Sequence, residues 1–239
     1  MTLWKSFGAS VRGPGHVSTG KPNQDAWASF QHSWGYGIVI SDGLGSKQFS
    51  DVGSNAACCA VVCAANACRD KTEIDHHFLF ASIKSEWLVG IAPFEPRDCA
   101  ATCLFALLLG DGSMHLGMLG DGLAAVIKAN GSIVQLSEDK SQGFSNITAG
   151  LSPNVTANDW RYLSLQEGEC DAVLLCTDGV SDDLEDIDGF VKGFLEAHRG
   201  LAAESANRDV REMLENWPTP KHSDDKTIAC LFRQEMADE

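Results

Sequence analysis

The sequence predicts an α+β fold in which one sheet packs on another with helices outside. Three features point that way. Between residues 99 and 137, short apolar runs are separated by Gly-Asp-Gly, Gly-Asp-Gly and Asn-Gly, which are turn signals of antiparallel β structure. Residues at helical spacing fill about Ser50–Arg69 and Asp75–Leu88, and a second helical region runs from about Asp182 to Trp217. The helices therefore come in blocks instead of alternating with strands, which argues against a doubly wound parallel sheet.

In chain order, WKSFGASV is the first strand, followed by a loop over residues 12–22 rich in Gly and Pro. DAWASFQ and YGIVIS are the next two strands. The first helix carries Val52, Ala56, Cys59 and Cys63 as its apolar face. On the second helix His76 and His77 are adjacent, point to different sides and make a poor metal pair, so they read as surface residues. CAATCLFALLL, SMHLGML, LAAVIKA and SIVQLS are strands joined by turns that read as hairpins. Residues 137–160 are polar, irregular and long for a loop in a compact domain, which marks a functional segment. WRYLSL and AVLLCT precede the second helical block, and KTIACLF closes the fold. With no internal repeat and no low-complexity linker, residues 1–239 read as one domain.

Composition narrows the function. The 239 residues are 44% apolar and 21% charged, a globular balance. Eighteen Lys and Arg against 33 Asp and Glu leave a formal charge of −15 and no basic run, which argues against nucleic acid and anionic membranes as partners. The N-terminal residues hold no apolar leader segment, and no apolar stretch reaches the roughly 18 residues of a membrane span, so a soluble cytoplasmic protein is expected. The nine cysteines lack C-x-x-C spacing and lie mostly in apolar runs, as small buried hydrophobes kept reduced.

One event recurs along the chain: an apolar strand runs out into an acidic corner. It happens at Asp42-Gly43, Asp121-Gly122 and Asp178-Gly179, while Asp25 opens a strand and Asp224-Asp225 precede another. Asp111, between two short strands, reads as an ordinary turn. Asp42 and Asp178 differ, because helical segments follow them. Carboxylates converging at one sheet edge cannot all stay ionised without a counter-charge. Few Lys or Arg lie near these positions, so divalent cations are the natural neutralisers. All-oxygen donors suit Mg²⁺ or Mn²⁺, and the lack of clustered His and Cys argues against zinc. A phosphate-cradling loop at DGLGSK fits poorly, since neither a P-loop nor a dinucleotide glycine spacing is present. Cys176, in an apolar strand, is a poor nucleophile, and Ser181 and Thr177 beside Asp178 read as structural.

The ordered set PNQDAW, VISDGLG, AATCLF, LGDG, CTDGVSD and SDDKT, spanning residues 23–227, resembles the successive motifs of the metal-dependent type 2C Ser/Thr protein phosphatases. The resemblance implies a four-layer α-β-β-α sandwich, two antiparallel sheets flanked by helix pairs, with residues 137–160 as a variable flap. It implies hydrolysis of phosphoserine and phosphothreonine in proteins by a water bridging two ions, Mn²⁺ or Mg²⁺, with no phosphoenzyme, in a monomer. By position, Asp42 would bridge the two ions, the Gly43 carbonyl would ligate one, and Asp178 and Asp224 would hold the other. Asp25 would act directly or through the ions' water shell, and Asp121 would help hold a third, weaker ion. Three departures stand out. Gln24 replaces an acid, Gly20 replaces an Arg that binds the substrate phosphate, and Leu44 replaces a candidate general-acid His. Lys21 and His16 are the available substitutes for the Arg, and the pattern is closest to a divergent bacterial branch. The alternative is a regulatory pseudophosphatase that binds without turning over.

Overall fold

The computed structural model describes residues 3–136, 149–218 and 223–234. Its strands form two antiparallel five-stranded sheets. The first runs in the order β1 (Leu3–Val11), β10 (Lys226–Gln234), β9 (Cys170–Cys176), β6 (Leu123–Lys128), β7 (Ile133–Leu136). The second runs β2 (Asp25–His32), β3 (Gly35–Asp42), β4 (Cys103–Leu108), β5 (Ser113–Leu119), β8 (Arg161–Gln166). The helices are α1 (Pro14–Thr19), α2 (Ser50–Ala67), α3 (His76–Gly90), α4 (Asp178–Ser181), α5 (Ile187–His198) and α6 (Ala203–Glu215).

Side-chain alternation builds the layers. In β3, Ile38 and Ile40 pack between the sheets with Leu104, Met118, Val126 and Leu175. Val39 turns the other way, onto α2 and α3, with Phe105, Val61, Leu79 and Trp87. A strand buried on both faces needs an unbroken apolar run, which is why IVI shows no polar alternation. Trimming such a residue, Ile40→Ala for example, should cost about 2–5 kcal/mol. On the outer face of the other sheet, Phe194, Val210 and Leu214 of α5 and α6 cover Phe7 and Cys230. The expected α-β-β-α sandwich is the observed one.

Four local expectations change. The Gly/Pro-rich loop contains α1, whose signals are Pro14 at its first turn and Gly20 at its end. The turn at 120–122 is not a hairpin: β5 pairs with β4 and β8, and β6 pairs with β7 and β9, so Gly120-Asp121-Gly122 carries the chain from one sheet to the other. On α2 the expected Ala56 is buried, together with Gly53, Ala57, Ala60, Val61 and Ala64, but the expected Cys59 and Cys63 are exposed while the other seven cysteines are buried. Of the expected flap, residues 137–148 lie outside the described residues, whereas Leu151, Val155 and Trp160 are buried against α3 and its sheet.

Candidate functional site

The acidic corners, expected at one sheet edge, are instead brought together by strand ends of both sheets. Asp25 stands directly opposite Asp42 in the β2–β3 pair. Cys176, the last residue of β9, pairs with Ile228 of β10 on one side and Leu123 of β6 on the other. Asp178 therefore leaves β9 beside the start of β10, where Asp224 and Asp225 enter, and beside Asp121, which leads into β6. Gly43 extends the β2–β3 ladder by donating its N–H to the Gln24 carbonyl at 3.0 Å. Asp42 is fixed from β4's side: Thr102 Oγ1 accepts from the Asp42 N–H at 2.9 Å, and the Thr102 N–H donates to the Asp42 carbonyl at 2.8 Å.

Carboxylate oxygens of Asp42, Asp121 and Asp178 lie within 4.8 Å of one another. Asp25 is buried behind Asp42, and one of its oxygens accepts from Thr177 Oγ1 at 2.9 Å and Thr227 Oγ1 at 2.7 Å. Burial pushes the Asp25 carboxyl up to about 7, against hydrogen bonds from Thr227, Asp42 and Thr177 that favour its charged form. Asp42 is raised well above the usual carboxylate range by burial first, then by the charges of Asp25, Asp178 and Asp224. Asp178 is pushed up to about 6 by burial and by Asp121 and Asp224. The charges that raise Asp42 are all carboxylates, so the cluster is poised for added positive charge. An all-oxygen donor set of this size fits hard divalent cations.

Asp224 has its carboxylate half-exposed at the rim, within electrostatic reach of Asp42 and Asp178. It belongs to a second group, His16, Asp224 and Asp225, whose ligand atoms also lie within 4.8 Å of one another. Here α1 docks against residues 223–225, with the Gly15 N–H donating to the Ser223 carbonyl at 2.8 Å. A Cβ on Gly13 would fall 2.2 Å from the Asp224 backbone, so only glycine permits this approach. Lys226, buried at the start of β10, donates from Nζ to the Asp224 carbonyl at 2.9 Å.

The two proposed phosphate-binding substitutes part company. Lys21 is exposed, with Nζ 3.3 Å from the Gly45 carbonyl on the loop after Asp42. His16 instead turns to Asp225, its Nδ1 2.8 Å from Oδ2. Gly20 ends α1 with φ of +72°, a left-handed conformation that disfavours an Arg there. Asp111 is the turn it was expected to be, accepting from the Ser113 N–H at 3.0 Å, and it also holds buried His115 through Nε2 at 2.9 Å. Cys176 is fully buried, and burial drives its thiol far up, away from nucleophile chemistry.

Among the supporting residues Thr227 escaped sequence reasoning, while Thr177, read as structural, and Asp225, noted beside Asp224, gain specific roles. Thr177 and Thr227 bracket Asp25, and Asp225 organises the docking of α1. The adjacency of Thr177 to Asp178 and of Asp225 to Asp224 was the one available signal.

The comparisons agree with this fold. A bacterial serine phosphatase superposes with a TM-score of 0.68 at 20% identity, covering 99% of this chain and all of that one. Stp1 from Staphylococcus aureus, a serine/threonine phosphatase, superposes with a TM-score of 0.66 at 18% identity, covering 99% and 96%. The catalytic domain of the serine/threonine protein phosphatase PstP, solved with two manganese ions, gives 0.61 at 16% identity, covering 98% and 100%. At these identities the likeness establishes the fold. No curated protein matches the chain in sequence. The family model described as protein phosphatase 2C matches residues 12–215, and the chain belongs to that family.

Proposed function

We propose that this chain is an active metal-dependent hydrolase that removes phosphate from phosphoserine and phosphothreonine in proteins. The observation that carries the reading is the convergence of Asp25 and Asp42 of one sheet with Asp121, Asp178 and Asp224 at strand ends of the other, where carboxylates raise one another. Asp42 would bridge two ions, Mn²⁺ or Mg²⁺, with the Gly43 carbonyl on one of them and Asp178 and Asp224 on the other. Asp121 would hold a third, weaker ion, and Asp25 would act from behind Asp42. The manganese ions of PstP, which has the same fold, support this assignment. When bound, such ions acidify a coordinated water and offset charge on the phosphoryl oxygens.

The chain's own residues supply the rest. Thr177 and Thr227 hold Asp25 in place, and Thr102 fixes the backbone at Asp42. Lys21, at the mouth, would bind a non-reacting phosphoryl oxygen. Among the described residues no helix is long and apolar enough to cross a membrane. On this reading the chain is one catalytic domain, a cytoplasmic monomer acting on a phosphorylated protein.

Gly20, with its left-handed backbone in place of the family's Arg, favours the second reading, a pseudophosphatase that binds without hydrolysis. Phosphopeptide hydrolysis with added Mn²⁺ decides between them. The proposal expects metal-stimulated phosphate release, with Lys21→Ala raising KM and leaving kcat nearly unchanged. Metal binding without release of phosphate would establish the pseudophosphatase.

A further inference from the structure

Asp225 is the most committed carboxylate at these strand ends. Its side chain is 1% exposed. Oδ1 accepts from the Gly13 N–H at 2.7 Å, and Oδ2 accepts from the Gln24 N–H at 2.6 Å while facing His16 Nδ1 at 2.8 Å. Both oxygens are thus engaged with protein donors from α1's approach and from the strand entry before Asp25. Asp225 works as an anchor for the imidazole.

The anchor fixes which way the ring faces. With Nδ1–H given to Asp225, a neutral imidazole carries its lone pair on Nε2. That atom lies 3.9 Å from Asp224 Oδ1, too far for a hydrogen bond. Two ligand atoms each about 2.1 Å from one ion can stand at most about 4.2 Å apart, so this separation is within reach of a shared cation and closes slightly on binding it. A carboxylate behind the distal nitrogen is the usual companion of a metal-ligating histidine, because it fixes the tautomer and raises the basicity of the ligand. Asp224 is also one of the carboxylates read above as holding the ions, which places His16 beside that centre.

We infer that His16 is a nitrogen ligand to the cation held at Asp224, oriented for that task by Asp225. The inference rests on the reading of the acidic cluster as a metal centre. It gives that position a mixed nitrogen and oxygen donor set, unlike the carboxylates around Asp42. Imidazole suits Mn²⁺, Co²⁺ and Zn²⁺ better than Mg²⁺, which prefers oxygen and water. His16 would therefore set which metal occupies the outer position, leaving Lys21 as the residue for substrate phosphate.

The test uses the full chain, stripped with chelator and reloaded with one cation at a time. Electron spin-echo spectroscopy of bound Mn²⁺ should show coupling to an imidazole nitrogen, lost in His16→Gln. Calorimetry should show Co²⁺ affinity falling by about 10- to 100-fold in His16→Gln, with Mg²⁺ affinity nearly unchanged. Asp225→Asn should weaken the same nitrogen coupling. Thermal melts check that His16→Gln remains folded, since the His16 side chain on α1 is only 14% exposed. Mn²⁺ bound without nitrogen coupling, or equal losses for Co²⁺ and Mg²⁺, would overturn the role of His16 alone. Failure of every cation to bind would overturn it together with the metal-centre reading.

Discussion

Asp25 allows a quantitative test of the clustered charge. A carboxyl raised in the folded state holds its proton more tightly there than in the unfolded chain. Between pH 4 and 7 the metal-free protein therefore binds more protons folded than unfolded, and its stability falls as pH rises through that window. For Asp25 the rise is from 3.8 to about 7, with burial as the main cause. At about 1.4 kcal/mol per unit, the penalty carried by this one group at pH 7.5 is on the order of 4 kcal/mol. Asp178, raised from 3.8 to about 6, adds a smaller loss that is complete at lower pH. Urea unfolding of the chelator-treated protein at pH 5 and pH 7.5 measures the slope, and Asp25→Asn isolates the residue. Asparagine keeps an acceptor for Thr177 and Thr227 but has no charge to desolvate. The variant should exceed the unsubstituted protein modestly at pH 5, where the unfolded carboxyl is already ionised, and by clearly more at pH 7.5. Added Mn²⁺ should stabilise the unsubstituted protein far more at pH 7.5 than at pH 5, since it binds the ionised cluster. The reasoning fails if Asp25→Asn is the less stable of the two at pH 7.5 without metal.

Two further outcomes separate structural from functional residues. Asp111→Ala should lower stability by about 1–3 kcal/mol, because buried His115 loses its acceptor, yet leave phosphatase turnover near the original; unfolding curves and initial rates measured side by side check this. Gly20→Arg should cost about 1–2 kcal/mol in urea unfolding from its left-handed backbone alone, since a Cβ there meets nothing within 4 Å; an unchanged midpoint would contradict that origin.

The sheets were legible because each strand carries its own local signal. IVI between Gly37 and Ser41 could only be a strand buried on both faces, and the Asn130-Gly131 turn does join a paired β6 and β7. The acidic corners were legible for the same reason, since each sits where an apolar run stops. What local signals could not convey was which strands are partners. Gly110-Asp111 and Gly120-Asp121 look alike in sequence, yet the first closes a hairpin and the second crosses between sheets and delivers a carboxylate to the site. Cys59 and Cys63 were misplaced onto the buried face of α2 because Ala and Cys share its spacing, and the smaller residue lets the helix lie close to the sheet. His16 and Asp225 are 209 residues apart, and their contact depends on two glycines allowing α1 to dock, which no periodicity encodes.

The central claim is that these strand ends form one metal centre with Asp42 at its middle. Equilibrium binding of Mn²⁺ to the metal-free chain, compared with Asp42→Asn, tests it most directly. The account predicts at least two bound ions in the original protein and loss of the tighter binding in the variant, with the fold intact by circular dichroism. Mn²⁺ binding that survives Asp42→Asn unchanged, or no binding to the unsubstituted chain, would contradict it.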